Sequence, residues 1–101
     1  YITIEEENYG GSAHLLLAYV YMIDSSPGSK DRIKTIFHFK ECHKREPKNI
    51  TCLLHLAESY EKGWDGTVSL QQAVIYLKQA KELGNEHAKK TLEKRKFRKY
   101  L

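Results

Sequence analysis

Cys42, His43, Cys52 and His55 are the residues of this 101-residue chain whose types and proximity could do chemistry of their own. Together they have the composition of a Cys2His2 zinc site, in which the ligands converge tetrahedrally, usually as two close pairs on separate turns. Cys52-x-x-His55 supplies one such pair. Adjacent Cys42 and His43 do not supply the other, because neighbouring residues of a helix point about 100° apart. No metal is therefore expected. Catalytic machinery is equally thin: five histidines and thirteen acidic residues are present, but no nucleophile motif, phosphate-binding glycine loop or HExxH occurs. Gly63-Trp64-Asp65-Gly66 is too short for a phosphate loop and lacks its lysine, so it reads as a helix-ending turn. Trp64 either contacts a partner or folds over the helix ends. The chain is expected to be neither an enzyme nor a holder of any cofactor.

The elements that must position these residues are set out by start and stop signals. A first helix runs from about Ser12 to Ile23 and ends in a loop over residues 24–29, where Pro27 and Gly28 cannot continue it. Asp31 is placed to cap a second, which carries Ile33, Ile36, Phe37 and Phe39 until Glu46-Pro47 stops it. Asn49 caps a third, closed by Gly63 in the left-handed conformation that ends many helices. Ser69 with Gln72 three residues on forms a capping box for a fourth, which Gly84 ends, and Asn85 caps a fifth. No strand-like alternation persists.

These helices repeat. Ala13, Leu17, Ala18 and Tyr21 precede Cys52, Leu56, Ala57 and Tyr60 by 39 residues, and Ala88 and Leu92 follow Cys52 and Leu56 by 36. In the second helix of each pair a shift of 38 sets Thr35 on Ala73, Ile36 on Val74, Phe37 on Ile75, Phe39 on Leu77 and Cys42 on Ala80. Small residues recur where helices must approach closely, and large ones recur between them. Cys42 and Cys52 thus occupy slots that Ala80 and Ala88 fill elsewhere, which reads as core packing rather than metal ligation. A two-helix unit at this period cannot bury its apolar face alone, so stacking is expected. Leu17, Tyr21, Phe39, Leu56, Tyr60, Leu77 and Leu92 should form the shared core.

At Leu56-Ala57, Tyr60, Gly63, Ala73, Tyr76, Lys78, Ala80, Gly84 and Ala88 the chain resembles the Sel-one-like repeat, a relative of the tetratricopeptide repeat with a more loop-rich turn. Ala13, Leu17-Ala18, Tyr21, Asp31, Lys34 and Lys40 fit the same pattern in the earlier copy, and the resemblance covers about residues 12–94. Trp64-Asp65-Gly66 replaces the family's Gly-Val, and Ser69 stands in for its capping Asp. The resemblance implies an all-α, right-handed α/α solenoid in one domain over residues 1–101. Its repeat units would span about 12–48 and 49–84, with a closing helix over 85–101.

The same resemblance implies a non-catalytic scaffold or adaptor that binds a protein or peptide on its concave face. Tetratricopeptide repeats carry inward-facing positions two and six residues after the first small core residue of each pair. That spacing selects Leu15 and Tyr19, Leu54 and Glu58, and Lys90 and Lys94, with His55 beside them. A separation of four puts each pair on one face of its helix. The groove would run from apolar at Tyr19 to cationic at Lys90 and Lys94, and would accept a segment with a hydrophobic end and an acidic or carboxylate end. Some secreted members of the family resemble this chain in pairing a cysteine near the end of the second helix with one near the start of the next. Cys52, however, stands one residue off that position, and the thiols are read as reduced.

Charge supplies the competing reading. The net charge of +4 is uneven: residues 86–101 hold seven Lys or Arg against Glu86 and Glu93, a local +5, leaving ten basic and eleven acidic residues before them. KKTLEKRKFRKYL interleaves Phe97 and Tyr100 with basic residues, so residues 89–99 are the alternative site, for nucleic acid or an acidic surface. No apolar run approaches the ~20 residues of a membrane span. YITIEEENYGG lacks a basic segment followed by an apolar one, so no signal peptide is read, and the missing initiator Met points to a fragment or processed chain. A cytoplasmic location is favoured if the cysteines are reduced.

Overall fold

The computed structural model describes residues 10–23 and 25–101; the N-terminal nonapeptide and Asp24 lie outside them. The described residues form α1 (Gly11–Met22), α2 (Lys30–Arg45), α3 (Ile50–Lys62), α4 (Leu70–Glu82) and α5 (Glu86–Leu92), followed by a 3-10 helix, Arg95–Tyr100. The fold is all-helical, with no strand among the described residues.

Most helix ends follow from local chemistry. Asn49 accepts from the backbone N–H of Cys52, Ser69 from that of Gln72 and Asn85 from that of Ala88, each side chain satisfying an orphan donor of its first turn. Gly63 closes α3 at φ +70, and a Cβ there would sit 2.9 Å from Val68 Cγ2. Only glycine meets both demands. At α2 the cap is Ser29, which accepts from the backbone N–H of Arg32, and not Asp31. Asp31 lies inside the first turn, where its charge favours the positive end of the helix.

Consecutive helices pack against one another, α1 on α2, α2 on α3, α3 on α4 and α4 on both α5 and the 3-10 helix. The body is elongated, 43 × 28 × 17 Å. One core cluster gathers Ala18, Ile36, Phe39, Leu56 and Trp64. The other gathers Leu53, Ala57, Ala73, Val74, Leu77, Ala80, Ala88, Leu92 and Phe97, and Tyr76 packs against both. Trp64 folds inward, with the Arg32 guanidinium 5.1 Å above its ring.

Equivalent positions of the two helix pairs are buried alike: Ala18 and Ala57, Thr35 and Ala73, Ile36 and Val74, Phe39 and Leu77, Cys42 and Ala80. Phe39, Leu56, Leu77 and Leu92 are buried as expected, whereas Leu17, Tyr21 and Tyr60 are half-buried. Phe37 and Ile75 are exposed at 52% and 43%, and Ile33 at 52%. At about 100° per residue the face shared by Ile36, Phe39 and Cys42 turns Ile33 and Phe37 outward.

Two further features depart from the sequence reading. The expected closing helix over 85–101 breaks after Leu92: Lys94 is extended at ψ 144, and the chain re-enters as a 3-10 turn. In a continuous helix Phe97 would lie about 140° around the axis from Leu92. The break lets both bury, Leu92 at 5% and Phe97 at 0% exposure. The second departure is that Cys42 and Cys52 form a disulfide, with their α-carbons 6.2 Å apart. The reading of reduced thiols is thereby corrected, and a cytoplasmic location loses the condition on which it rested.

Candidate functional site

Leu54, His55 and Glu58 stand on one face of α3 because they are separated by one and four residues on a helix begun by the Asn49 cap. Opposite them α5 presents His87 and Thr91, and Lys94 follows where the chain leaves the helix. Between the two elements lies a cavity of about 270 Å³, lined also by Ala57, Glu61, Lys62 and Leu77. Four of the seven expected partner-contacting residues, Leu54, His55, Glu58 and Lys94, therefore meet in one groove.

Tyr19 of α1 does not line the cavity but contacts His55, which does. Its hydroxyl lies 2.9 Å from His55 Nε2, and the Phe39 ring stacks on the imidazole at 4.9 Å between centroids. His55 Nδ1 lies 3.9 Å from Glu58 Oε1. Burial lowers the His55 pKa below the ordinary 6.5, against the opposing pull of Glu58.

This shift predicts a pH dependence. Because the folded value is depressed, the unfolded chain takes up the proton first as pH falls, so His55 favours folding above about 6.5 and loses that contribution below it. Thermal melts should show a stability loss between pH 7.5 and 5.5 that is smaller in His55→Gln. Equal slopes for the two proteins would assign the loss to other groups.

The groove's charges are unevenly paired. Glu58 accepts from Lys62 Nζ at 2.8 Å, and that contact raises the lysine pKa. Glu61 is met by Lys96, which reaches back from the 3-10 helix. Lys94 has no carboxylate partner among the described residues. The lining thus ends in an uncommitted cation beside Leu54 and Leu77.

The remaining expected residues sit elsewhere. Leu15 is half-buried against the first core cluster, where it packs rather than presents itself. Lys90 is exposed on α5 and lines no part of the cavity. Glu61, Lys62, His87 and Thr91 were not anticipated from the sequence. Glu61 and Lys62 lie three and four residues beyond Glu58, so helical spacing alone marks them as its neighbours.

Elsewhere, the buried Phe97 offers no stacking face in the basic segment, while Lys99 lies 5.2 Å from the Tyr100 ring. A buried pair of histidines also escaped the sequence reading: His14 Nδ1 and His38 Nδ1 lie 2.9 Å apart between α1 and α2. Among the described residues no three His, Cys, Asp or Glu side chains are grouped to hold a metal ion, and no helix is long and apolar enough to cross a membrane. No protein family, curated protein or solved structure matches the chain.

Proposed function

We propose that the chain is a right-handed stack of Sel-one-like helix pairs acting as a non-catalytic scaffold, and that its groove holds a protein segment carrying an acidic side chain or terminal carboxylate. The matched burial of equivalent positions and the elongated shape support the stack. A single observation carries the ligand chemistry. Both acids of the groove already have lysine partners, whereas Lys94 has no carboxylate partner among the described residues. A carboxylate entering beside Lys94 would form a charge-assisted contact without displacing an existing pair. Leu54 offers apolar surface for the rest of the segment. Lys90 would attract the same anion from the rim, acting on encounter more than on residence.

The test is a displayed library of random peptides selected on the protein, followed by affinity measurements. Peptides combining apolar and acidic residues should be enriched. Losing a hydrogen bond to a charged group costs about 1.5–3 kcal/mol, so Lys90→Glu/Lys94→Glu should weaken binding by at least about tenfold. Arg95→Glu/Lys99→Glu should leave it within about twofold. The reverse pattern would replace the groove with the basic segment, residues 89–99, as the binding surface.

A further inference from the structure

Asn49-Ile50-Thr51 is an Asn-x-Thr triplet without proline, the acceptor pattern for an N-linked oligosaccharide. No other asparagine of the chain is followed two places on by serine or threonine. The triplet lies at the surface. Glu46, Pro47, Lys48 and Asn49 line an open hollow of about 460 Å³ between the end of α2 and the start of α3. Pro47, Lys48 and Thr51 are exposed, and Asn49 is half-buried. Its amide divides two tasks between its two ends. Oδ1 accepts from the backbone N–H of Cys52 at 3.3 Å and so caps α3, while Nδ2 donates to Glu46 Oε1 at 3.0 Å, on a residue of the hollow. The nitrogen carries two hydrogens, so one can be replaced without loss of the cap. Asn85, 36 residues on, caps α5 in the same way by accepting from the N–H of Ala88, but His87 stands in the place of Thr51. The cap itself needs no hydroxyl there.

We propose that Asn49 is a modification site, carrying an oligosaccharide joined to Nδ2. The donor class is a lipid-pyrophosphate oligosaccharide. Nδ2 bonds to the anomeric carbon of the first sugar as the bond from that carbon to the pyrophosphate breaks, an amide proton passes to a base of the transferase, and the lipid pyrophosphate leaves. The Cys42–Cys52 bridge is independent support, because disulfides persist in the oxidising secretory compartments where this transfer takes place. In the fold, Ile50 and Thr51 belong to the first turn of α3 and Cys52 is tied to α2. A transferase reaches the triplet in extended form only before that turn and the bridge close, so transfer belongs to the nascent chain. The glycan leaves the peptide groove free, since no residue of the hollow lines it.

The test is translation of the full chain, behind a cleavable leader, into rough microsomes. Chain protected from added protease should carry one glycan that peptide N-glycosidase removes, with Asn49 converted to aspartate in the mass spectrum. Thr51→Ala and Ile50→Pro should be protected equally well and carry none. Both leave the Asn49 cap in place, and proline suits the first position of a helix, so the loss reports the acceptor triplet and not an unfolded α3. Protected wild-type chain without the glycan, or a glycan kept on Asn49 by Thr51→Ala or Ile50→Pro, would overturn the proposal.

Discussion

Leu56→Ala should destabilise the protein by about 2–5 kcal/mol, the range found when a fully buried leucine is truncated and its surroundings cannot close the cavity. Leu56 is 0% exposed and shares its cluster with Ala18 from α1, Ile36 and Phe39 from α2, and Trp64 beyond the end of α3. These neighbours come from separate elements, so little collapse into the vacated volume is expected. The loss would be a large share of the stability of a domain this size, typically about 5–15 kcal/mol. In urea titrations followed by circular dichroism the midpoint should fall with the slope nearly unchanged, and Tm should drop by roughly 10 °C or more. A variant that melts with the wild type would mean that Leu56 is not held between these elements.

Removing the Cys42–Cys52 bridge should have the second-largest effect. The two residues are ten apart in sequence, and closing a loop of that length restricts the unfolded chain by about 3 kcal/mol on the chain-entropy account. Cys42→Ala/Cys52→Ala should therefore be destabilised by about 2–4 kcal/mol, although alanine fits both slots in the equivalent positions Ala80 and Ala88. The bridge also ties the end of α2 to the start of α3, and thus fixes the Phe39 ring of α2 over His55. Both cysteines are 0% exposed, so reductant should act slowly on the folded chain and quickly once it is unfolded. Thiol titration in denaturant without reductant should find no free sulfhydryl. Two reactive thiols per chain would show that the bridge is absent.

What the amino-acid order determined by itself is what short-range chemistry controls. Asn49, Ser69 and Asn85 cap helices because their side chains reach a backbone N–H three residues ahead, a contact that needs no tertiary partner. Gly63 and Gly84 end α3 and α4 because they adopt positive φ without strain. Equivalence between Phe39 and Leu77, or between Cys42 and Ala80, marked core positions because burial selects size and apolarity at a fixed spacing. The same spacing brought Leu54, His55 and Glu58 onto one helix face.

Tertiary structure alone decided the features in which two distant segments meet. Ser29 and Asp31 are both competent caps by type, and only the path of the chain out of the preceding loop selected Ser29. The bridge needed two helices to hold Cys42 and Cys52 within reach, a distance that residue types do not encode. Phe97 looked like part of a basic surface until the break at Lys94 turned it into the core. His14 and His38 are 24 residues apart and become partners only when α1 packs on α2. In the groove, charge count predicted a cationic end without saying which lysine is committed. That followed from Lys96 reaching Glu61 across 35 residues, because an ion pair is a matter of geometry between side chains and not of composition.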